Sequence, residues 1–315
     1  MTAPAAAPVR PHRTERPTVP VPPYSAAELA DTARRVREHV VDMCAGPEGG
    51  HLGGAFSSAD ILTALYFAVL NTDPDDPEDP DRDRFVLSKG HAAVGLYAVL
   101  AERGFLPTAE LADYGRPGTR LMGHPVRAVP GVEMPTGSLG HGLALACGFA
   151  LGQRLDGRAA RSFVLMGDGE LQEGSVWESA IAAASLRLDN LVAVIDRNGL
   201  QLTGPTEGKA PMAQLAERWR SFGWAVRETD GHDPAALVEH LGSAPWEPGR
   251  PGLLICRTVK GRGVPFLEGR PAAHYVTLSA RNHARARAAL RAAARAVTTA
   301  TATATERTVT AGRPA

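Results

Sequence analysis

Two polar residues that could ligate a metal each follow an apolar run of this chain. The run Phe163-Val164-Leu165-Met166 leads into Gly167-Asp168-Gly169, and a second run that begins at Leu191 ends at Asn198. If both runs are neighbouring parallel strands, their carboxyl ends meet at one edge of a sheet, where α/β proteins bind ligands. Carboxylate and amide oxygens suit a hard divalent ion such as Mg²⁺, which usually keeps positions for water and phosphates. The pattern therefore predicts a site for a metal and a diphosphate.

The tripeptide Gly-Asp-Gly is also a common turn, which needs no ligand. The metal interpretation therefore depends on what surrounds the tripeptide. A strand pattern precedes Gly167, and a helix pattern covers Gly174–Arg187. The glycines on both sides of Asp168 would let the backbone approach a diphosphate without a Cβ in the way. Together with the second strand, this context favours the metal site over the plain turn.

Histidines form the second group of residues that could do chemistry. A single histidine is more often structural or simply exposed, but five of them lie beside glycines in predicted turns. Loops at strand ends are where binding and catalytic residues concentrate. Neutral imidazoles can donate hydrogen bonds to a diphosphate or a sugar hydroxyl, and they can move protons near neutral pH. The five are His51, His91, His124, His141 and His274.

Strands and helices alternate along the part of the chain that must position these residues. The capping-box spacing Ser25-Ala26-Ala27-Glu28 predicts a first helix that reaches about Cys44. Further helices are predicted at Ser57–Leu70, His91–Arg103, Ser138–Leu155, Gly174–Arg187, Met212–Phe222 and Pro234–Leu241. Strands are predicted at Arg84–Leu87, Phe163–Met166, Leu191–Asn198, Trp224–Glu228 and Leu253–Val259. This alternation predicts an α/β fold, a doubly wound and mostly parallel sheet with helices on both faces.

The two ends of the chain differ in composition from its middle. Residues 1–23 are rich in proline and alanine, and residues 297–315 are rich in alanine and threonine. Neither segment has an apolar face to bury, so both are predicted to be disordered tails. Residues 24–296 contain no evident linker or repeat and are predicted to form a single domain.

Composition restricts the class of protein. The 315 residues are 44% hydrophobic and 22% charged with a formal net charge of zero, which gives no sign of a nucleic-acid or membrane partner. We expect no apolar stretch as long as a membrane span and find no signal-peptide core. Three widely spaced cysteines in apolar surroundings indicate reduced core residues in a cytoplasmic protein. They are Cys44, Cys147 and Cys256.

From about Tyr24 to His274 the motifs together resemble the N-terminal half of transketolases. The stretches Gly167 to Gly174 and Asp196 to Leu200 are nearly the full diphosphate and metal motif of that family. Transketolases transfer a two-carbon ketol unit from a ketose to an aldose with thiamine diphosphate and Mg²⁺, for which Ca²⁺ or Mn²⁺ can substitute. The resemblance implies the thiamine diphosphate-binding fold and a transketolase-type transferase acting on sugar phosphates.

The resemblance also assigns roles to single residues. It implies that the side chains of Asp168 and Asn198 and the carbonyl of Leu200 ligate the metal. His51 and His124 would contact substrate oxygens, Glu173 would face a partner glutamate, and His274 would act beside the diphosphate, so that the expected catalytic residues are His51, His124, Glu173 and His274. The expected cofactor-binding residues are His91, Gly137, Ser138, Leu139, Gly167, Gly169, Glu170, Asn198 and His274.

The chain departs from the family pattern in three turns. Leu52 replaces the usual proline after His51, so this turn is expected to be slightly reshaped. His141 stands where many members have glutamine. After His274, the sequence continues with Tyr275-Val276-Thr277 instead of the usual Gly-Lys-Ala-Pro.

The resemblance further implies that half of the catalytic machinery lies on another chain. Thiamine chemistry needs a second domain that holds the aminopyrimidine ring and supplies the glutamate that protonates its ring nitrogen. A full-length transketolase is about twice as long, and nothing after Val259 has room for another α/β domain. The chain is therefore expected to be inactive alone and to act with a separate pyrimidine-binding subunit in an α₂β₂ assembly.

Other functions are also compatible with part of this pattern. The same cofactor chemistry could serve a non-standard acceptor in a specialised biosynthetic pathway. A non-catalytic structural subunit is a second alternative, but it would be expected to lose a metal ligand, and Asp168 and Asn198 are both present. Other thiamine enzymes fit the histidine set less well. A nucleotide-binding protein is disfavoured because neither a Gly-x-Gly-x-x-Gly after an early strand nor a P-loop is found.

Overall fold

A five-stranded parallel sheet forms the centre of the molecule. The computed structural model describes residues 24–207 and 214–292. Within them, the strands are β1 Arg84–Leu87, β2 Ser162–Gly167, β3 Leu191–Arg197, β4 Leu200–Gln201, β5 Gly204–Pro205, β6 Ala225–Asp230 and β7 Gly252–Arg257. The sheet has the order β1-β2-β3-β7-β6 with every neighbouring pair parallel, while β4 and β5 form a small antiparallel hairpin.

Helices cover both faces of the sheet. They are α1 Ala26–Met43, α2 Leu52–Ala64, α3 Ala93–Arg103, α4 His141–Leu155, α5 Gly174–Ser185, α6 Leu215–Ser221, α7 Pro234–Gly242 and α8 at 280–292. Alternate residues of β3 enter different cores, since Val192 and Val194 pack with α1, α2 and α3 whereas Ala193 and Ile195 pack with α4 and α5. Strands buried on both faces are apolar throughout, which is why the runs in the sequence are continuous. The predicted fold class is confirmed.

Two predicted helix starts are wrong, and each has a local reason. Helix α2 begins at Leu52, not at Ser57, because the Ser57 and Ser58 hydroxyls donate back to the Gly54 carbonyl inside the helix, at 3.1 and 2.7 Å. Helix α4 begins at His141, not at Ser138, because Gly140 has a left-handed backbone with φ +85°.

The other predicted boundaries have mixed outcomes. The capping box at Ser25 is confirmed, since the Ser25 amide donates to the Glu28 carboxylate at 2.8 Å and the Glu28 amide donates to the Ser25 hydroxyl at 3.2 Å. Helix α8 was not predicted; the Asn282 amide donates to the Ser279 hydroxyl in its first turn. The start of the predicted helix Met212–Phe222 and the tails at 1–23 and 297–315 lie outside the described residues.

One helix is longer and more apolar than its sequence pattern predicted. Helix α2 continues through a π-helical turn at Leu65–Val69, and by length and composition the segment Leu52–Val69 could cross a membrane. The expectation that no segment reaches this length was wrong. The fold buries 94% of the segment, so it is a core helix of this domain.

The prediction that the three cysteines are unpaired residues of the core is confirmed. Cys44, Cys147 and Cys256 are all buried and unpaired. Burial raises the pKa of Cys44 to about 12 and of Cys147 to about 11, which keeps both thiols protonated. These residues therefore act as small apolar side chains in the cores.

A buried ionic network joins α1 and α2 to the loop after β6. The Arg37 guanidinium donates to Asp60 at 3.1 Å and to the Phe56 carbonyl at 3.0 Å. His232 donates from Nδ1 to Asp60 at 2.7 Å, and its Nε2 accepts from the Val259 amide at 2.9 Å, which fixes the neutral tautomer. Burial alone would raise the pKa of Asp60, but the charge of Arg37 and the hydrogen bonds outweigh burial and hold it at about 2.

We expect Asp60 to make stability depend on acid pH. A carboxyl with a pKa of about 2 in the folded chain and 3.8 as the ordinary value contributes stability above pH 4 that is lost as the pH falls toward 2. The contribution is about 2 kcal/mol. Urea unfolding between pH 7 and 3 should show this loss in the wild type, and Asp60→Asn should be less stable at pH 7 with a flatter acid profile. An unchanged profile in the variant would exclude Asp60 as the source.

Candidate active site

The carboxyl ends of the parallel strands border one cleft. Its volume is about 420 Å³, and residues that follow β1, β2, β3 and β7 line it. Eleven residues with a predicted site role lie around this cleft, although they come from segments far apart in the chain. They are His91, Gly137, Leu139, Gly167, Asp168, Gly169, Glu170, Glu173, Asn198, Leu200 and His274. The structure thus brings most of the predicted residues together, while their individual roles stay predictions.

The remaining predicted residues lie beside the cleft. The ring of His51 has its centroid 5.2 Å from the rings of both His91 and His274, and 6.2 Å from the ring of His124. These four histidines, here called the histidine cluster, form one continuous group. Ser138 is exposed next to them. His141 lies at the start of α4, exposed and within 3.3 Å of the Leu139 carbonyl, so it does not belong to the cluster.

Asp168 follows β2 and is held by backbone donors. Its two carboxylate oxygens accept from the amides of Gly169 at 2.9 Å and Gly199 at 2.6 Å, and the Thr206 hydroxyl donates at 3.2 Å. Burial, together with the nearby charge of Asp196, raises the pKa of Asp168 to about 6 despite these bonds. A carboxylate disfavoured in this way is stabilised by a cation placed beside it.

The other two expected metal ligands are next to Asp168. Since Gly199 bonds directly to Asp168, its chain neighbours Asn198 and Leu200 lie at the same point of the cleft. The Leu200 carbonyl already faces a positive charge, accepting from Lys260 Nζ at 3.4 Å. A carboxylate, an amide and a carbonyl make an all-oxygen set, the type that hard divalent cations prefer. The donor set fits such an ion.

Behind these ligands lies a buried ion pair that the sequence motifs did not indicate. The ammonium of Lys89 contacts the carboxylate of Asp196 and donates to the Gly54 carbonyl at 2.9 Å. The Ser57 hydroxyl donates to Asp196 at 2.6 Å, and Asn198 Nδ2 donates to Asp196 at 3.2 Å. The ion pair therefore orients the Asn198 side chain. Burial would raise the pKa of Asp196, but the charge of Lys89 outweighs it and lowers the pKa.

A second, buried lysine lines the cleft. Lys260 Nζ is 3.1 Å from Nδ1 of His274, which must accept from the ammonium and therefore carries its own proton on Nε2. Burial and the charge of Lys89 lower the pKa of Lys260 to about 8. Lys260 is therefore cationic at neutral pH, and Lys89 lines the same cleft. A positive charge on this side of the cleft suits a diphosphate.

Three members of the histidine cluster, His51, His91 and His274, are uncharged at neutral pH. Burial lowers the pKa of both His51 and His274 to about 4, and the positive charge of Lys260 acts in the same direction. Burial and the charge of Lys89 lower the pKa of His91 further, to about 2. These imidazoles can therefore donate and accept hydrogen bonds without adding charge.

The two glutamates of the motif have different surroundings. Glu170 is buried, and its carboxylate accepts from the amides of Gly140 at 2.9 Å and Gly167 at 3.1 Å and from the Ser88 hydroxyl. It therefore ties the start of α4 and the loop after β1 to the metal turn. Glu173, at the start of α5, is exposed and lines the open side of the cleft.

Space for a diphosphate depends on Gly54 in α2. A Cβ at this position would lie 3.4 Å from Lys89 Nζ and 3.6 Å from His91 Nε2. A side chain there would fill the space in front of both donors. The residues present therefore fit a bound diphosphate as well as a metal.

The sequence offered one signal for the missed lysines. Arginine is the usual basic residue in this chain, and only three lysines occur, Lys89, Lys209 and Lys260. Two of them lie in the cleft, and Lys209 lies outside the described residues. Lysine in place of arginine suits a point charge next to a phosphate.

Known proteins are similar in sequence to the part of this chain that builds the cleft. Residues 28–312 match the family described as "Transketolase, thiamine diphosphate binding domain". The chain is 44% identical over 258 residues to an apulose-4-phosphate transketolase subunit from Actinobacillus succinogenes, covering 80% of this chain and 93% of that protein. It is 41% identical over 253 residues to a 6-deoxy-6-sulfo-D-fructose transketolase subunit from a Clostridium species, covering 80% of this chain and 92% of that protein.

A solved transketolase structure is similar to this chain in fold and sequence. The transketolase of Campylobacter jejuni superposes with a TM-score of 0.75 at 31% sequence identity, covering 84% of this chain and 42% of that one. The chain therefore spans less than half the length of this solved relative.

Proposed function

Because this chain belongs to the transketolase family by its thiamine diphosphate-binding domain, we propose that it is the diphosphate- and metal-binding subunit of a two-chain transketolase. The assembled enzyme transfers a two-carbon ketol unit from a ketose phosphate to an aldose. The observation that carries the proposal is the cleft in which Asp168, Asn198 and Leu200 meet Lys89, His91 and His274.

The residues of this chain bind and orient the reactants. Thiamine diphosphate, when bound, supplies the electron sink for the transferred two-carbon unit. Asp168, Asn198 and the Leu200 carbonyl would hold the metal, and Lys89 and His91 would hold the diphosphate. The imidazoles of His51 and His124 would donate to sugar hydroxyls and hold a proton close to the reacting carbons.

We assign Mg²⁺ as the metal, with Ca²⁺ or Mn²⁺ as substitutes. The all-oxygen donor set supports this choice, because hard cations prefer carboxylate and carbonyl ligands and Mg²⁺ often binds together with phosphates. Titrating each ion into the assembled enzyme with thiamine diphosphate would rank them. We also propose a cytoplasmic location, which is supported by three buried, unpaired cysteines.

A separate pyrimidine-binding subunit completes the enzyme, in an α₂β₂ assembly. Two relatives of nearly the same length carry names that describe them as subunits. Glu173 lies on the exposed side of the cleft, where a group from another chain can reach it. Its predicted role opposite a partner glutamate belongs to this proposal.

The outer surface of α4 and α5 is the face that we assign to contact between subunits. Leu155 is 78% exposed, and Ile181 and Leu186 are also exposed. A Cβ built at Gly148 or Gly152 would meet nothing within 4 Å, so a side chain placed at either position would project into open space. Contiguous exposed apolar side chains on a helix pair are typical of a protein–protein interface.

Blocking this face should prevent assembly without unfolding the chain. We expect Gly148→Trp to weaken binding of the partner subunit by about 100-fold or more, because the indole would stand between the two surfaces. The matched control is Gly242→Trp, since Gly242 is exposed in α7 on the other side of the sheet and has equal space around its Cβ. Analytical ultracentrifugation measures assembly, and melting curves check folding. Normal assembly of the Gly148 variant would contradict this interface.

The proposed function is tested by reconstitution. The chain and a pyrimidine-binding partner are purified separately and mixed with thiamine diphosphate, Mg²⁺, a ketose phosphate donor and ribose 5-phosphate. We expect product aldose from the mixture and none from either chain. Turnover by the single chain would refute dependence on a partner, and an assembled pair that binds no cofactor would refute the catalytic function.

A second candidate keeps the chemistry and changes the sugar. The two relatives described above are named for apulose 4-phosphate and 6-deoxy-6-sulfo-D-fructose, neither of which is a common sugar phosphate. If the reconstituted pair binds cofactor but does not use common donors, a panel of branched and sulfonated ketoses becomes the next test. Product formation with one of them alone would establish the specialised enzyme.

A further inference from the structure

Tyr275 is a partly exposed aromatic residue next to the histidine cluster. Its ring centroid is 4.8 Å from that of His51, with the planes at 88°, and 51% of the residue is exposed. The phenol hydroxyl donates to the Glu48 carbonyl. One edge of the ring packs on His51 and the hydroxyl is anchored, so the exposed part of the ring is held in a fixed position.

The backbone around Tyr275 is clamped to the turn before His51. Gly50 and Val276 exchange two hydrogen bonds, each of 2.9 Å. Gly49 has φ +62°, and a Cβ there would lie 2.4 Å from the Thr277 hydroxyl, so only glycine allows this approach. Two loops that are far apart in sequence thus form one rigid wall that carries Tyr275.

The wall lies beside the cleft and reaches solvent at Tyr275. His91 and His274 line the cleft, His51 lies next to both, and Tyr275 lies beyond His51 at the surface. Within the described residues, Nδ1 of His51 is buried without a hydrogen-bond partner, so ring packing holds this imidazole. A sugar bound along the histidine cluster at His51 therefore has the Tyr275 ring within reach.

An aromatic wall of this kind favours a particular ligand surface. The C–H groups of a sugar chain can pack on the ring, while hydroxyls on the other side of the chain reach His51 and His124. Ligand sites commonly combine an apolar aromatic surface with a few polar groups that fix orientation. A short aldose would react without reaching Tyr275, whereas a longer one would extend over it.

We propose that Tyr275 is a specificity-determining residue that selects aldose acceptors by chain length, through contact between its ring and the carbons distant from the reacting aldehyde. The proposal rests on the transketolase function proposed above. Tyr275 acts on substrate recognition and takes no part in the bond-making steps.

The test compares acceptors of two lengths, glyceraldehyde 3-phosphate and ribose 5-phosphate, on the reconstituted enzyme. Tyr275→Ala should lower kcat/KM for the five-carbon acceptor about tenfold more than for the three-carbon acceptor, the size expected for one aromatic contact. Tyr275→Phe keeps the ring and should retain the wild-type ratio. The control Tyr24→Ala removes another partly exposed tyrosine, packed edge-on against Phe67, and should also leave the ratio unchanged.

The ratio separates length selection from a general disturbance of His51, which would lower both values equally. An equal loss for the two acceptors, or a loss in Tyr275→Phe as large as in Tyr275→Ala, would overturn the proposal. Calorimetry of each acceptor with the assembled complex measures the same preference without turnover. If the wild type transfers no ketol unit but Tyr275→Ala still weakens ribose 5-phosphate binding selectively, the proposed function fails while the role of Tyr275 stands. If Tyr275→Ala binds ribose 5-phosphate as the wild type does, the proposed role of Tyr275 is overturned.

Discussion

Replacing Asp168 by asparagine is expected to weaken Mg²⁺ binding by about 100-fold or more and to abolish ketol transfer. The variant removes the charge of the expected metal ligand. It also disturbs the turn, since both carboxylate oxygens accept from backbone amides, of Gly169 and Gly199, and an amide NH₂ group would face one of these donors. Thiamine diphosphate would lose affinity as well, because a bound divalent ion would offset the negative charge of its diphosphate.

The measurement is a Mg²⁺ titration of the assembled enzyme in the presence of thiamine diphosphate, followed by calorimetry and by activity. The matched control is Asp189→Asn, because Asp189 also accepts from a backbone amide, that of Gly249 at 2.8 Å, but precedes β3 at the opposite edge of the sheet. The control should retain the wild-type Mg²⁺ dependence. The same dependence in Asp168→Asn would remove Asp168 from the ligand set.

Replacing Lys89 by methionine is expected to destabilise the chain by about 3 to 5 kcal/mol, the usual cost of leaving one buried charge unpaired. Lys89 is 1% exposed, and its ammonium is the direct counter-charge of the fully buried Asp196. The same replacement removes a positive charge from the cleft, so cofactor binding should fall as well.

A double variant separates these two effects. Lys89→Met combined with Asp196→Asn removes both charges, so urea unfolding should show that much of the lost stability returns. Cofactor affinity should stay low, because the ammonium is still missing. A double variant that binds thiamine diphosphate like the wild type would show that Lys89 is only structural. A single variant with wild-type stability would show that the pair carries little energy.

Local sequence patterns predicted the parts of the fold that depend on local interactions. The apolar runs before Asp168 and Asn198 marked β2 and β3, because strands covered on both faces are built mostly from apolar residues. The start of α1 followed from the Ser25 capping box. The starts of α2 and α4 could not be read in this way, since Ser57 and Ser138 resemble caps but one hydroxyl bonds inside a helix and the other residue precedes the left-handed Gly140.

The sequence by itself determined the fold class and the metal–diphosphate motif, because short-range spacing places Asp168 and Asn198 at strand ends. Its resemblance to transketolases indicated most of the other residues around the cleft. Only the tertiary structure decided which distant residues support them. Lys89 and Asp196 are 107 positions apart, and His51 and Tyr275 meet through two loops from opposite ends of the domain. Such contacts follow from how the layers pack and leave no periodic trace along the chain. The packing therefore determines the charge and shape of the cleft.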